Sequence, residues 1–213
     1  MYSIKQLNSI CAYLGGNKLY VQGAGGNVSE KSSKNMLIKA SGMWLSDAEY
    51  KDIYTEVDLD AINLNIKLNK FDIIINPLKP EMLRPSIETI VHALIPRKFI
   101  VHIHHINSIA HLVLNNCEDI ISKKLNNYSY PYQIIEYVKP GADLGRVIHQ
   151  KIKLNPKAKV FLLKNHGVFF SSNDLNEISK QIEELDKLLY LRPRKIDDEL
   201  TFKSYKDLKN IVL

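Results

Sequence analysis

The chain has 213 residues, of which 45% are hydrophobic and 24% charged, with a formal net charge of +6; this supports one sizeable core over residues 1–213 and excludes a disordered chain. Its 29 Lys and Arg residues are scattered rather than gathered in a basic arm, which argues for a solvated surface with no nucleic-acid partner, though positive potential can help draw in an anionic metabolite. No apolar run approaches membrane-spanning length, the first residues do not read as a secretory signal, and Cys11 and Cys117 make no disulfide framework, so a cytoplasmic protein with no membrane partner is expected.

Apolar residues at Ile4, Leu7, Ile10, Cys11 and Leu14 predict an opening helix over 2–14 that stops at Gly15-Gly16-Asn17. Residues 19–22 read as a short strand running into Gly23-Ala24-Gly25-Gly26-Asn27-Val28-Ser29. Glycines there permit positive φ and expose successive N–H groups, which suits either an anion-binding nest, with Asn27 and Ser29 as added donors, or a plain tight turn between strands. The segment is neither a P-loop, since no Gly-Lys-Ser/Thr follows, nor a dinucleotide fingerprint, since strand-like residues follow where a helix should start.

A strand is expected over 36–40, ending in Ser41-Gly42-Met43-Trp44, where a hydroxyl and an open backbone N–H could meet a phosphate. Ser46 and Glu49 have the spacing of a capping box on a short helical turn. Strands over 53–57 and 71–75 flank a helical piece through about residue 68, and Pro77, Pro80 and Pro85 mark an irregular loop. The next helix begins at Arg84-Pro85-Ser86-Ile87-Glu88, with Ser86 near its N-cap and an apolar face of Ile87, Ile90, Val91, Leu94 and Ile95. Glu88 in the first turn either complements the helix dipole or serves chemistry.

In the stretch Phe99-Ile100-Val101-His102-Ile103-His104-His105, residues 99–104 read as a buried strand in which period-two alternation puts His102 and His104 on one face, while His105 points the other way. One histidine in an apolar strand is commonly a hydrogen-bonded core residue; two on one face need separate partners or one shared cation. A divalent ion of the Zn²⁺ type takes three or four His, Cys or carboxylate ligands, and His166 in Asn165-His166-Gly167-Val168 offers the third nitrogen. Helices are expected from residue 107 and over 118–125, a strand over 132–138, a helix over 142–152, strands over 160–164 and 168–171, and a long helix to about residue 191 capped by Asn173-Asp174. Beyond Pro193 the tail is polar, with Tyr205 and residues 208–213 as a segment that could dock as a short helix.

Five motifs stand in order: Gly25-Gly26-Asn27-Val28-Ser29, Lys39-Ala40-Ser41-Gly42, Pro85-Ser86-Ile87-Glu88, Val101-His102-Ile103-His104 and Asn165-His166-Gly167-Val168. On them the chain, from about residue 5 to 190, resembles the class II aldolase/adducin family of fuculose- and rhamnulose-phosphate aldolases. The wording of residues 21–27 and 40–45 is similar to the aldolase part of bifunctional aldolase/short-chain-dehydrogenase proteins. The resemblance implies an α/β fold, a three-layer α/β/α arrangement with a mainly antiparallel central sheet, in one class II aldolase/adducin-type domain, commonly as a homotetramer. It implies His102, His104 and His166 as ligands of a divalent metal, usually Zn²⁺ and otherwise Mn²⁺ or Co²⁺, with Glu88 completing the shell and acting as acid/base. It implies Gly26, Asn27, Ser41, Gly42 and Ser86 as the phosphate site, and a C-terminal tyrosine, Tyr190 or Tyr205, at the aldehyde end.

The expected activity is a metal-dependent lyase that reversibly cleaves a small phosphorylated ketose or related hydroxycarbonyl compound through a metal-stabilised enediolate, with a small sugar-phosphate-like molecule as partner. Within the family the alternatives are an epimerase, a dehydratase or a decarboxylase of a sugar phosphate; outside catalysis, an adducin-like assembly module. The chain departs from the family pattern at Ile87, where many members carry a second serine, and at His105, where a small residue is common.

Overall fold

The structure, a computed structural model, describes residues 2–192. Its centre is a seven-stranded sheet formed by β1 (Asn27–Lys31), β2 (Asn35–Lys39), β3 (Tyr54–Asp58), β4 (Phe99–Ile103), β5 (Tyr132–Ile135), β6 (Val160–Leu163) and β7 (Gly167–Ser172), in the spatial order β3-β2-β1-β4-β7-β6-β5. Every neighbouring pair is antiparallel except β5 with β6, so the sheet is mixed with a strong antiparallel majority.

Two apolar clusters cover the two faces, and the strand alternation assigns residues to them. In β4, Phe99, Val101 and Ile103 join one cluster, while Ile100 joins the other. The first cluster takes its helices from α1 (Ile4–Gly15), α4 (Ile106–Leu112), α5 (Cys117–Lys124) and α7 (Leu175–Leu189). The second takes them from α2 (Leu59–Lys67), α3 (Thr89–Leu94) and α6 (Ala142–Leu154). The result is three layers, helix on sheet on helix, with both sheet faces buried. Both cysteines are free and buried. Among the described residues no helix is long and apolar enough to cross a membrane.

Local chemistry explains where elements start and stop. Asp58 caps α2 by accepting from the Ala61 amide at 2.8 Å, and Asp174 caps α7 through the Asn176 amide at 3.0 Å. Several expectations are corrected. Residues 19–22 form no strand: Asn17 gathers the Leu19 amide on its side chain at 2.9 Å and the Tyr20 and Val21 amides on its carbonyl, closing a turn in place of a ladder. Residues 71–75 form no strand, with Phe71 buried as an anchor and Ile74 89% exposed. Ser46 and Glu49 make no capping box; Leu45–Glu49 is a 3-10 turn whose N-cap, Trp44, offers no side-chain acceptor. The helix expected from Ser86 begins only at Thr89, with Glu88 in the N-cap position.

Candidate functional site

Three adjacent central strands converge on this site because β1 and β7 both run antiparallel to β4. The start of β1 lies beside the end of β4, with Asn27 opposite His102, and the start of β7 lies on the other side, with Val168 opposite Ile103. The glycine loop before β1, the residues after β4 and the β6–β7 turn therefore meet at one edge. His102, His104 and His166 come together there, each offering a ring nitrogen within 4.8 Å of the others. Their ring centroids stand 4.9 to 5.4 Å apart.

Each imidazole is held differently. His102 is fully buried, stacks on Phe169 at 4.3 Å, and sets its Nδ1 3.1 Å from the Val168 carbonyl. A carbonyl can only accept, so Nδ1 carries the proton and Nε2 turns a bare lone pair toward the cluster. His166 sits in the turn between β6 and β7, which Asn165 closes at a φ of 55°. Gly167 follows because a Cβ there would lie 2.4 Å from the Ile103 carbonyl oxygen. His104 leaves the sheet after Ile103, and its Nδ1 packs so close to Gly25 that a Cβ at that glycine would approach it to 2.8 Å.

Glu88 reaches the cluster from the N-cap of α3 and is buried. Its Oε2 accepts from Asn27 Nδ2 at 2.7 Å and stands 3.5 Å from His102 Nε2; its Oε1 stands 3.4 Å from His166 Nε2. Among the described residues, Glu88 Oε1 and His102 Nε2 are buried atoms without a hydrogen-bond partner. Two orphaned buried acceptors in one cluster, His102 Nε2 beside one carboxylate oxygen of Glu88 and the other oxygen beside His166, fit a divalent cation, which satisfies several lone pairs at once. Electrostatics agree with that donor set. Burial pushes His102 well below the ordinary imidazole range, lowers His104, and brings His166 to about 4, so all three are neutral and able to ligate. Burial raises Glu88 to about 7 against the opposing pull of its Asn27 hydrogen bond and the Lys39 charge.

The residues expected to hold phosphate divide into two groups. Ser41 and Ser86 are brought to one place by an isolated bridge between Ala40 and Pro85. Gly42 has a φ of 79° and open space around it, which leaves its backbone approachable. Ser86 Oγ already accepts the Glu88 amide at 3.2 Å. Gly26, at a φ of 72°, shapes the turn into β1, but the Asn27 side chain is committed to Glu88. Ser29, read from sequence as an added donor of that loop, is instead buried against His92 Nδ1 at 2.7 Å, between β1 and α3.

Two residues of this region carried no role in the sequence reading. Arg84 donates to Ser41 Oγ at 3.2 Å, placing a guanidinium beside the serine pair, at the rim of a groove of about 600 Å³ that Ser86, Ile87, Lys139 and Arg146 also line. Lys39, buried on β2, donates to the carbonyls of Ala24 at 3.0 Å and Met43 at 2.6 Å, tying the glycine loop to the Ser41-Gly42 turn. A basic residue beside an Xaa-Pro-Ser segment was the visible signal for Arg84; a buried lysine in a strand was the signal for Lys39. Tyr190 stands exposed at the end of α7, outside the histidine cluster, and Tyr205 lies outside the described residues. His105 does not line the cluster; its ring turns to α7.

Comparison with known proteins points the same way. The family described as Class II Aldolase and Adducin N-terminal domain matches residues 5–192. An L-fuculose phosphate aldolase of Methanocaldococcus jannaschii is 27% identical over 188 residues, covering 86% of this chain and 91% of that protein. The uncharacterized oxidoreductase YuxG of Bacillus subtilis is 27% identical over 171 residues, covering 73% of this chain and 24% of that protein, so the chain spans about a quarter of its length. Among solved structures, the N-terminal class II aldolase domain of a conserved protein from Thermoplasma acidophilum shares the fold with a TM-score of 0.75 at 21% identity, over 88% of this chain and 92% of the other.

Proposed function

The chain belongs to the class II aldolase and adducin N-terminal domain family, and from that premise we propose that it is a divalent-metal-dependent lyase that reversibly cleaves a small phosphorylated ketose. The observation that carries this reading is the convergence of three imidazoles, two of them facing a buried carboxylate that keeps one unpartnered oxygen. His102, His104 and His166, with Glu88, are the ligand set, and Zn²⁺, or Mn²⁺ or Co²⁺ in its place, suits these donors. When bound, the cation supplies Lewis-acid stabilisation of the negative charge that develops beside a substrate carbonyl as a carbon–carbon bond breaks.

The chain's own residues do the rest. In the cleavage direction one proton leaves the hydroxyl of the carbon that becomes the aldehyde, and another reaches the carbon left behind. Glu88 carries the second: Asn27 holds Oε2, which leaves Oε1 as the atom that exchanges the proton. A C-terminal tyrosine, Tyr190 or Tyr205, is assigned to the hydroxyl that becomes the aldehyde. Ser41, Gly42 and Ser86 receive the substrate phosphate, with Gly26 shaping the loop opposite, and Arg84 supplies a charged donor beside the serine pair, where Ile87 offers no hydroxyl. Residues 1–213 act as one domain, assembled as a homotetramer. The same constellation serves an epimerase, dehydratase or decarboxylase, since each begins with charge developing beside a carbonyl; an assembly module would have no use for a buried unpaired carboxylate.

The test is turnover of a panel of ketose phosphates by metal-loaded protein, with products identified by NMR. An aldehyde and a three-carbon ketone phosphate as products, with at least ~10²-fold slower turnover in Glu88→Gln, is the expected result. Epimerised, dehydrated or decarboxylated products would transfer the assignment to those reactions. Full turnover in the Glu88→Gln variant would remove Glu88 from the proposed chemistry.

A further inference from the structure

Of the three imidazoles, His104 is the one the sheet does not hold. His102 lies within the β4 ladder and is pinned through Nδ1, and His166 is fixed by the tight turn into β7. Strand β4 ends at Ile103 and α4 begins at Ile106, so His104 and His105 lie between elements with no ladder partner. What stands there instead is a buried polar cluster. His105 is 1% exposed; its Nδ1 meets Ser108 Oγ at 2.7 Å and its Nε2 meets Asp186 Oδ1, on α7, at 2.9 Å. Asp186 Oδ1 also accepts from Asn107 Nδ2 at 2.8 Å, and its Oδ2 accepts from the Tyr20 hydroxyl at 3.3 Å. The Tyr20 ring packs on the His105 ring at 5.5 Å. From the same 17–22 turn, the Leu19 carbonyl accepts the Ile106 amide at 2.8 Å and Gln22 Nε2 donates to the His104 carbonyl at 3.3 Å.

His104 is therefore bracketed: its own carbonyl is held from one side, the next side chain is anchored to α7, and the amide two residues on is held by the turn. We propose that the His105–Asp186 pair, with Tyr20, is a positioning device that fixes His104 for metal binding, using α7 as the rigid support. His105 touches neither substrate nor cation in this account; it acts through the backbone it shares with His104. This explains why a bulky imidazole is accommodated where a small residue would suffice to line a pocket, because the ring faces away from the pocket and spends both nitrogens on the clamp. The inference rests on the metal-centre reading of His102, His104 and His166.

The test is metal affinity, measured by competition with a chelator, on the full chain. Asp186→Ala is expected to weaken Zn²⁺ binding by about 10–100-fold and to shift the visible absorption bands of the Co²⁺-loaded protein. Asp186→Asn, whose amide oxygen still accepts from His105 and Asn107, restores affinity and spectrum. Glu177→Ala, which loosens the other end of α7 where Glu177 accepts from Lys159 and Ser172, lowers the melting temperature and leaves metal affinity unchanged. Tyr20→Phe keeps the ring packing, removes one hydrogen bond to Asp186, and gives a loss of about 3-fold in a protein of wild-type melting behaviour. Wild-type affinity in both Asp186→Ala and Tyr20→Phe, or an equal loss in Glu177→Ala, overturns the positioning role and leaves the metal centre standing. A wild-type chain that binds neither Zn²⁺ nor Co²⁺ overturns the metal centre itself, and the positioning role with it.

Discussion

Glu88 shows how a single side chain acquires its position. It is an N-cap residue that caps nothing: its side chain makes no hydrogen bond to α3 and turns to Asn27 and the histidines. The side chain thus does not act as a hydrogen-bonding cap of α3, whatever its charge contributes to the helix dipole. Buried charge elsewhere gives a cleaner thermodynamic test. Lys31, at the end of β1, is largely enclosed and donates to the carbonyls of Ala93 and Ile95; burial lowers its ammonium from 10.5 to about 7. Between those two values the unfolded chain binds the proton more tightly than the native one, so unfolding free energy rises with pH across that window. Urea unfolding of the wild type and Lys31→Met at pH 7 and 9.5 is expected to move in favour of the wild type by about 1 kcal/mol per pH unit, and a pH-independent difference would refute the shift. At this scale the sequence was legible for the histidines, because the spacing of His102 and His104 with His166 downstream called for a shared partner, although the strand stops one residue short of His104. It was silent on Arg84, Lys39 and the Ser29–His92 pair, whose partners lie on other elements and which local periodicity cannot reveal.

At the scale of elements, alternation and caps carried most of the information. The burial of Phe99 through Ile103 and the cap at Asp174 follow from the apolar run and from a side-chain acceptor, whereas the caps expected at Ser46 and Ser86 do not form. The two misread strands, 19–22 and 71–75, have apolar residues but pair with no strand of the sheet; whether a β-prone segment becomes a strand depends on a partner that is distant in sequence. The β6–β7 turn is the element on which the site depends most tightly. An alanine at Gly167 would place its Cβ against the Ile103 carbonyl oxygen and 3.2 Å from the His102 ring. Because the obstacle is backbone, it cannot step aside by rotation. Gly167→Ala is expected to cost about 1–3 kcal/mol in thermal or urea unfolding and to weaken metal binding with it; wild-type values of both would show that β4 and β7 separate more easily than their register implies.

For the whole molecule, strand order is what turns five short motifs into one site. Nothing in the sequence states that β1 and β7 flank β4, yet that order brings Asn27, His102, His104 and His166 to one edge, where the start of α3 delivers Glu88. The family resemblance supplied what periodicity could not, and the mixed sheet, with its parallel β5–β6 edge, refines it. The two apolar clusters on either face hold this arrangement rigid, so the site is organised before any ligand arrives. The most direct measurement is the metal content of purified wild-type, His104→Ala and His166→Ala protein after loading with Zn²⁺ and removal of excess. About one tightly held ion per chain is expected in the wild type and its loss in both variants, with circular dichroism unchanged. An ion retained undiminished by either variant would contradict this expectation.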